Sequence, residues 1–226
     1  MDAAEVLHRF PAWTAPDRVE PWLHEQLPFV HAGRFDDEAR VSFAPLDGHS
    51  LPDGQESLRR FANAAILADW ACYVANEDRA DIPRLQAVIA AYPAGFRVWF
   101  CRVAGMYLPA GYTGWYPISA TAFAKAHDAP GQLTSRGELW PVELDRQEGA
   151  YIWLFNYSIV SPLRRTALSR RLLETYATDL AAIKIKGLAA AVLSEESKRV
   201  VARFGMARRG SMTHLGADED VYAVRF

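Results

Sequence analysis

Apolar residues recur along this chain in two rhythms, one helical and one extended, and the two alternate. Residues 57–76 are apolar over most of a helical circumference (Leu58, Phe61, Ala65, Ile66, Leu67, Trp70, Tyr73, Val74), with Arg59, Arg60 and Asn63 marking the wet side, so the pattern predicts a mostly buried helix. A second helix is predicted after Asp81, an N-cap residue. Pro83 sits in its first turn, where a missing N–H costs little, and Leu85, Val88, Ile89 and Tyr92 form an i, i+3, i+4, i+7 stripe that Pro93 and Gly95 close. Residues 96–104 (FRVWFCRVA) switch to extended alternation, with Phe96, Val98 and Phe100 on one face and Trp99, Cys101 and Val103 on the other. Residues 105–111 are expected to turn the chain and 112–118 to return it as a hairpin partner. A short first strand is expected at 39–46 (ARVSFAPL), followed by a turn rich in Asp, Gly and Pro at 47–54.

The second half of the chain is organised around residues 150–187. Residues 151–160 (YIWLFNYSIV) are almost wholly apolar and rich in aromatic and β-branched side chains, the composition of a strand covered on both faces, and Pro162 ends them. The loop that follows sets Arg164, Arg165, Arg170 and Arg171 among small residues where a helix begins. Backbone N–H groups and guanidinium forks would converge there on an anion. From Ser169 the positions Leu172, Leu173, Tyr176, Leu180 and Ile183 keep helical spacing. Residues 188–193 (LAAAVL) read as a strand. Residues 194–204 read as a helix opened by a capping Ser194 with Glu195 and Glu196, and Gly205 is expected just past its end. Residues 207–214 and 221–226 predict a terminal hairpin around 216–220. Before the central strand, residues 119–128 predict a short helix, 129–131 break it, and 132–149 carry Glu138, Glu143, Asp145 and Glu148 without a clear period. Residues 1–35 form an aromatic-rich arm with a short helix at 2–9, expected to pack on the domain because exposed tryptophans are uncommon.

Composition narrows what this order can mean. With 226 residues, half of them apolar, the chain can bury a full core and is most simply one domain. A formal net charge of −2 argues against nucleic acid as the main partner. Cys72 and Cys101 make neither a metal spacing nor a disulfide framework, so core packing in a reducing compartment is expected. The histidines His8, His24, His31, His49, His127 and His214 are scattered, which predicts no metal. No basic-then-apolar leader opens the chain and no apolar run approaches the ~18 residues of a membrane span, so a soluble cytoplasmic protein is the expectation. Hydrolase elbows, Walker loops and dinucleotide fingerprints are absent from the sequence.

Val160-Ser161-Pro162, then Arg164-Arg165-Thr166-Ala167-Leu168-Ser169 and the Leu172-Leu173 pair, resemble the acetyl-CoA-binding motif of the GCN5-related N-acetyltransferase (GNAT) superfamily. In that motif Val-x-Pro precedes Gln/Arg-x-x-Gly-x-Gly/Ala; here Ala167 and Ser169 hold the glycine positions. The predicted order is strand, two helices, three strands with an insertion before the third, helix, strand, helix and two strands. It is similar to the family's order over residues 40–226. The resemblance implies a mixed α/β (α+β) sheet of the GNAT acyl-CoA N-acyltransferase fold over residues 36–226, with an N-terminal arm (1–35) and an insertion at about 119–149. In that family the fourth and fifth strands splay apart and the pantetheine arm lies between them.

The resemblance also implies an acetyl-CoA, or other acyl-CoA, co-substrate. Its pyrophosphate would lie over the backbone of Arg165, Thr166, Ala167, Leu168, Ser169 and Arg170, with Arg164 and Arg165 as charged partners, and Ile159 and Val160 would offer backbone hydrogen bonds to pantetheine. Acyl transfer to an amine uses a base and an acid for the leaving thiolate. The tyrosine that family members place four residues before a Gly-Phe is Val201 here, before Gly205-Met206. Tyr157 and Ser194 are the remaining acid or water-orienting candidates, with Ser197 beside Ser194. Glu148, Glu143 and Glu195 are candidate bases. Arg208 and Arg209 are candidates for the adenosine 3′-phosphate, or form a basic hairpin edge that discourages strand pairing. The implied function is acetyl transfer to a small-molecule or peptide amine by direct attack. A catalytically degenerate acyl-CoA-binding or regulatory domain and a transferase for longer acyl chains, carried on CoA or on acyl carrier protein, stand as alternatives. The terminal hairpin of such domains often pairs, which adds a homodimer to the expectations.

Overall fold

Among the described residues, seven strands and seven α-helices form from this pattern. The computed structural model describes residues 3–32, 42–48, 51, 54–73, 79–103, 106–133, 136–164, 166–214 and 217–226. In chain order the elements are α1 (Ala3–Leu7), α2 (Pro16–Ala32), β1 (Ser42–Asp47), α3 (Gln55–Cys72), α4 (Ile82–Ala91), β2 (Phe96–Val103), β3 (Met106–Ile118), α5 (Ala120–Asp128), β4 (Ala150–Ile159), α6 (Ala167–Ala181), β5 (Ile185–Val192), α7 (Glu195–Arg203), β6 (Ala207–His214) and β7 (Ala217–Arg225). The strands hydrogen-bond in the order β1-β2-β3-β4-β5-β7-β6. β4 and β5 are parallel, whereas β1–β2, β5–β7 and β6–β7 are antiparallel, so the sheet is mixed. The chain divides into two compact units, Met1–Thr113 with Tyr157–Thr175, and Gly114–Asn156 with Tyr176–Phe226.

In the first unit every residue of α3 from 61 to 72 is buried, including Asn63 and Asp69. Asn63 is therefore not on a wet face, contrary to the expectation. Its Nδ2 donates to the carbonyls of Pro11 (2.7 Å) and Trp13 (2.9 Å), and its Oδ1 accepts from Gln86 Nε2 (2.9 Å). Arg60 Nη1 donates to the carbonyls of His8 and Phe10. The polar side of α3 is the seat of the N-terminal arm, whose irregular backbone needs such donors once it is buried. The arm contains a further element. Val19, Leu23, Leu27 and Val30 are buried on one face of α2, a 17-residue helix with Pro16 at its start and Pro21 and Pro28 inside it. Prolines normally argue against a helix interior, and they concealed this one.

Caps behave as their chemistry dictates. Asp81 Oδ2 accepts from Arg84 N (2.9 Å) at the head of α4, Ser119 Oγ from Ala122 N (3.1 Å) at α5, and Ser194 Oγ from Ser197 N (3.1 Å) at α7. Gly205, at φ +73°, closes α7 in the left-handed conformation that glycine adopts without strain. Three boundaries differ from expectation. β3 begins at Met106, so residues 106–111 are strand and not turn, while 104–105 lie outside the described residues. β5 begins at Ile185, and β7 begins at Ala217, within the segment expected to be the hairpin loop. The extra strand residues 185 and 187 pair with β4 and 217–220 with β6, and that pairing outweighs local turn composition.

Within the second unit, residues 150–153 of β4 pair with residues 185–189 of β5. That pairing ends at Trp153 and Ala189, although both strands continue, to Ile159 and to Val192.

Candidate functional site

The connection from β4 to α6 is built from short local hydrogen bonds. Val160 N donates to Ala110 O on β3 (3.0 Å), and its carbonyl accepts from Leu163 N (3.0 Å), so both main-chain groups of Val160 are engaged within the chain. Alternation along a strand turns the N–H and C=O of Ile159 away from β3. Thr166, and not Ser169, heads α6. Its Oγ1 donates to Leu163 O (2.7 Å) and accepts from Leu168 N (3.2 Å), and Ser169 Oγ donates to Thr166 O (2.8 Å). Leu168 is buried beneath this turn, while Ala167, Arg170 and Arg171 are exposed on the first turn of a 15-residue helix. Arg165 lies outside the described residues. Tyr157 OH donates to Ser169 O (2.7 Å), which ties the strand to the helix start.

Arg164 is exposed, yet its guanidinium is tied to backbone on two sides. Its Nε donates to Ile159 O (3.2 Å) and its Nη2 to Cys72 O (2.9 Å), so the guanidinium joins the end of β4 to the C-terminus of α3. A cation there meets both the orphan carbonyls and the negative end of the helix dipole. His31 Nε2 lies 3.3 Å from the neighbouring Ala71 carbonyl.

The same end of α3 carries a polar cluster that sequence reasoning missed. Asp69, fully buried, accepts from Tyr112 OH on β3 (2.7 Å) and from Ala80 N (2.7 Å). Tyr73, in extended conformation just past the helix, accepts from Ser158 Oγ on β4 (3.2 Å). These partners are 43 and 85 residues apart in sequence, and no local period links them. One sign was legible: a single carboxylate in the buried run FANAAILADWAC has to find partners or be discharged.

The other candidates lie in the second unit. Ser194 serves as the cap of α7, with its Oγ 2.9 Å from Ser197 Oγ. Glu148 is exposed on a turn where its N–H donates to Asp145 Oδ1 (2.8 Å), Glu143 is exposed, and Glu195 pairs with Lys198 (2.7 Å). Val201 is buried. Arg208 pairs with Asp220 (2.8 Å), and Arg209 donates to Ala223 O (3.2 Å), contacts that brace the β6–β7 hairpin. The structure thus gathers Tyr157, Ile159, Val160, Arg164, Thr166, Ala167, Leu168, Ser169 and Arg170 around one strand-to-helix connection. Glu148 and Ser194 lie in the second unit, on the turn before β4 and at the head of α7. Among the described residues there is no group of three or more His, Cys, Asp or Glu side chains placed to hold a metal ion, and no helix is long and apolar enough to cross a membrane.

Burial sets the protonation of the core. It pushes the Cys101 thiol from its ordinary value of 9.0 to about 12, and it raises the Cys72 thiol well above its ordinary value, with help from Asp69. The Tyr112 phenol is raised by burial and then by Asp69, and Tyr176, whose OH donates to Gly114 O (2.7 Å), is raised by burial. All four are protonated in the fold and ionise more readily once exposed. Their contribution to stability is whole below about pH 9 and falls as pH rises from there toward about 12. The melting temperature is expected to be flat with respect to these groups below pH 9. Above it, thiol titre should appear together with unfolding; a thiol titrating in the folded protein near its ordinary pKa would contradict the burial.

Neither a protein-family model nor a curated protein matches the chain by sequence. Solved structures do match by shape. The loading GNATL domain of CurA from Lyngbya majuscula aligns over 82% of this chain and 97% of that one, with a TM-score of 0.53 at 12% identity. A chain of the NatC complex bound to Gag peptide and CoA aligns over 83% and 99%, with a TM-score of 0.52 at 11% identity. Strand order, the parallel β4–β5 pair and these alignments together establish the GNAT fold, in a divergent sequence.

Proposed function

We propose that this protein is an acyl-CoA-dependent N-acyltransferase that moves an acetyl group from acetyl-CoA to a small-molecule or peptide amine. The observation that carries the reading is the early end of the β4–β5 ladder at Trp153 and Ala189, in a fold where α6 starts directly beyond β4. Unpaired strand backbone is costly unless something else accepts its hydrogen bonds, and an amide-bearing pantetheine arm does so. The diphosphate would meet the first turn of α6, from Thr166 to Arg170, where helix N–H groups and the dipole favour an anion, with the Arg170 side chain as charged partner. Arg164 acts there chiefly by holding Ile159 in place. With both main-chain groups of Val160 engaged, the donor offered to pantetheine is Ile159 N–H. Catalysis then consists largely of holding the thioester for direct attack by the amine, with donors poised at its carbonyl.

A second reading has its own support. A buried Val201 stands where the family resemblance expects a tyrosine, which suits an acyl-CoA-binding domain without turnover. Calorimetry with acetyl-CoA, desulfo-CoA and longer acyl-CoAs, followed by thiol release across a panel of amines, separates the readings. Binding with amine-dependent thiol release is expected. Binding with no release on any amine selects the silent domain, preference for long chains selects a different donor, and no binding removes both readings. The double variant Arg170→Ala/Arg171→Ala is expected to weaken acetyl-CoA about tenfold at low salt, and less at high salt, where exposed charges are screened.

A further inference from the structure

The N-terminal arm makes its contacts in order along α3. Arg60 and Asn63, in the first half of that helix, hold the carbonyls of His8, Phe10, Pro11 and Trp13. Further along, α2 meets the last turn of α3 through a pair of histidines. The His24 ring stands edge-on to the Trp70 indole, with centroids 5.7 Å apart and planes at 72°. His31 Nε2 lies 3.3 Å from Ala71 O, and because a carbonyl only accepts, Nε2 carries the proton of this contact. His24 and His31 are two helical turns apart, so both lie on the same side of α2.

This grip falls where the donor site begins. The last carbonyls of a helix have no partner within it. At the end of α3 two of them are taken by side chains from elsewhere in the first unit: Ala71 O by His31, and Cys72 O by Arg164 Nη2 (2.9 Å). Arg164 Nε donates in turn to Ile159 O (3.2 Å). Neighbouring peptide groups of one helical turn therefore connect the arm to Arg164, and Arg164 connects them to the backbone assigned to pantetheine. Ordering an exposed arginine costs conformational entropy, so its pose lasts only while its acceptors hold still.

We propose that His24 and His31 make the arm a brace for the donor site. By fixing the last turn of α3 they hold the Cys72 carbonyl, and through it Arg164 and Ile159, in the pose that receives acyl-CoA. The identity of the ligand rests on the acyl-transfer reading given above; the linkage rests on side-chain contacts within the first unit. Both histidines act through other groups and are positioning residues. Their signature is donor affinity and local opening of the backbone, with the rate at saturating donor nearly untouched.

The test uses the full chain. Both histidines are exposed, so their removal leaves the core intact. In His24→Ala/His31→Ala the acetyl-CoA dissociation constant is expected to rise about tenfold, with each single change giving about threefold, and kcat at saturating acetyl-CoA to stay within about twofold of wild type. His31→Gln, which returns an N–H donor, should recover most of what His31→Ala loses, and His31→Leu should not. Hydrogen exchange gives a reading that needs no ligand. The double variant is expected to speed exchange in peptides covering 66–73 and 157–164, where the amides of Val160, Leu163 and Arg164 are hydrogen-bonded, and to leave β5 and β7 as protected as in wild type. Phe29→Ala, on an exposed position of α2, is the control and should change neither reading. A double-variant dissociation constant within about 1.5-fold of wild type overturns the brace while acyl-CoA binding stands. Exchange that accelerates throughout the chain also overturns it, because the arm then acts on stability alone. A wild-type protein that does not bind acetyl-CoA overturns both the donor reading and the brace.

Discussion

Alanine at Gly111 is expected to destabilise the protein by about 3 kcal/mol or more and to disturb the acyl-binding end of β4 with it. A Cβ there would stand 2.3 Å from Ser158 O and 3.1 Å from Ile159 Cα, and both are backbone atoms that no rotamer change can move aside. Relief requires β3 and β4 to part at the place where Val160 N meets Ala110 O. Gly131→Ala is the control: its Cβ would meet nothing nearer than Ser211 O at 3.9 Å, so a change within about 0.5 kcal/mol is expected. Urea unfolding of the two variants checks the contrast, and acetyl-CoA calorimetry on the folded fraction of Gly111→Ala should show weakened binding. Equal midpoints for the two variants would mean that β3 and β4 do not approach so closely.

Gly111 also marks the limit of what the sequence could disclose. A glycine two residues after Pro109 reads as a turn, yet it is a strand residue chosen for what lies across from it. Features that local chemistry dictates were legible: the caps at Asp81, Ser119 and Ser194, the terminator Gly205, the alternation of β2 and the apolar run of β4 all formed within a residue or two of their expected places. The order of elements followed from these, and with it the GNAT fold. Features that depend on a distant partner were not legible. Asn63 has the composition of a solvated residue and is buried because the carbonyls of Pro11 and Trp13 need its amide. α2 keeps an apolar stripe through Val19, Leu23, Leu27 and Val30, but its prolines mask it.

The candidate site divides the same way. The strand, the basic loop and the helix are contiguous in sequence, and their apolar and charged pattern announced them, although the cap proved to be Thr166 and Arg164 bonds to the end of α3. An arginine at a loop looks alike whether it awaits a phosphate or satisfies two carbonyls; only the partner decides. Tyr73, Asp69 and Tyr112 had no comparable signature, since each meets its partner across several intervening elements.

Asp69→Ala is expected to cost about 3–5 kcal/mol, because it strips the acceptor from two groups at once. Tyr112 OH and Ala80 N would both lose the carboxylate oxygens that now accept from them at 2.7 Å. Asp69→Asn keeps one acceptor oxygen and turns an amide toward the other donor, so a loss of about 1–3 kcal/mol is expected. Tyr112→Phe removes a donor and costs less than Asp69→Ala. In the double variant Asp69→Ala/Tyr112→Phe the orphaned hydroxyl disappears, and the two losses should fall short of additive by about 1 kcal/mol or more. Additive losses in denaturant unfolding would mean that the two side chains do not share the bond.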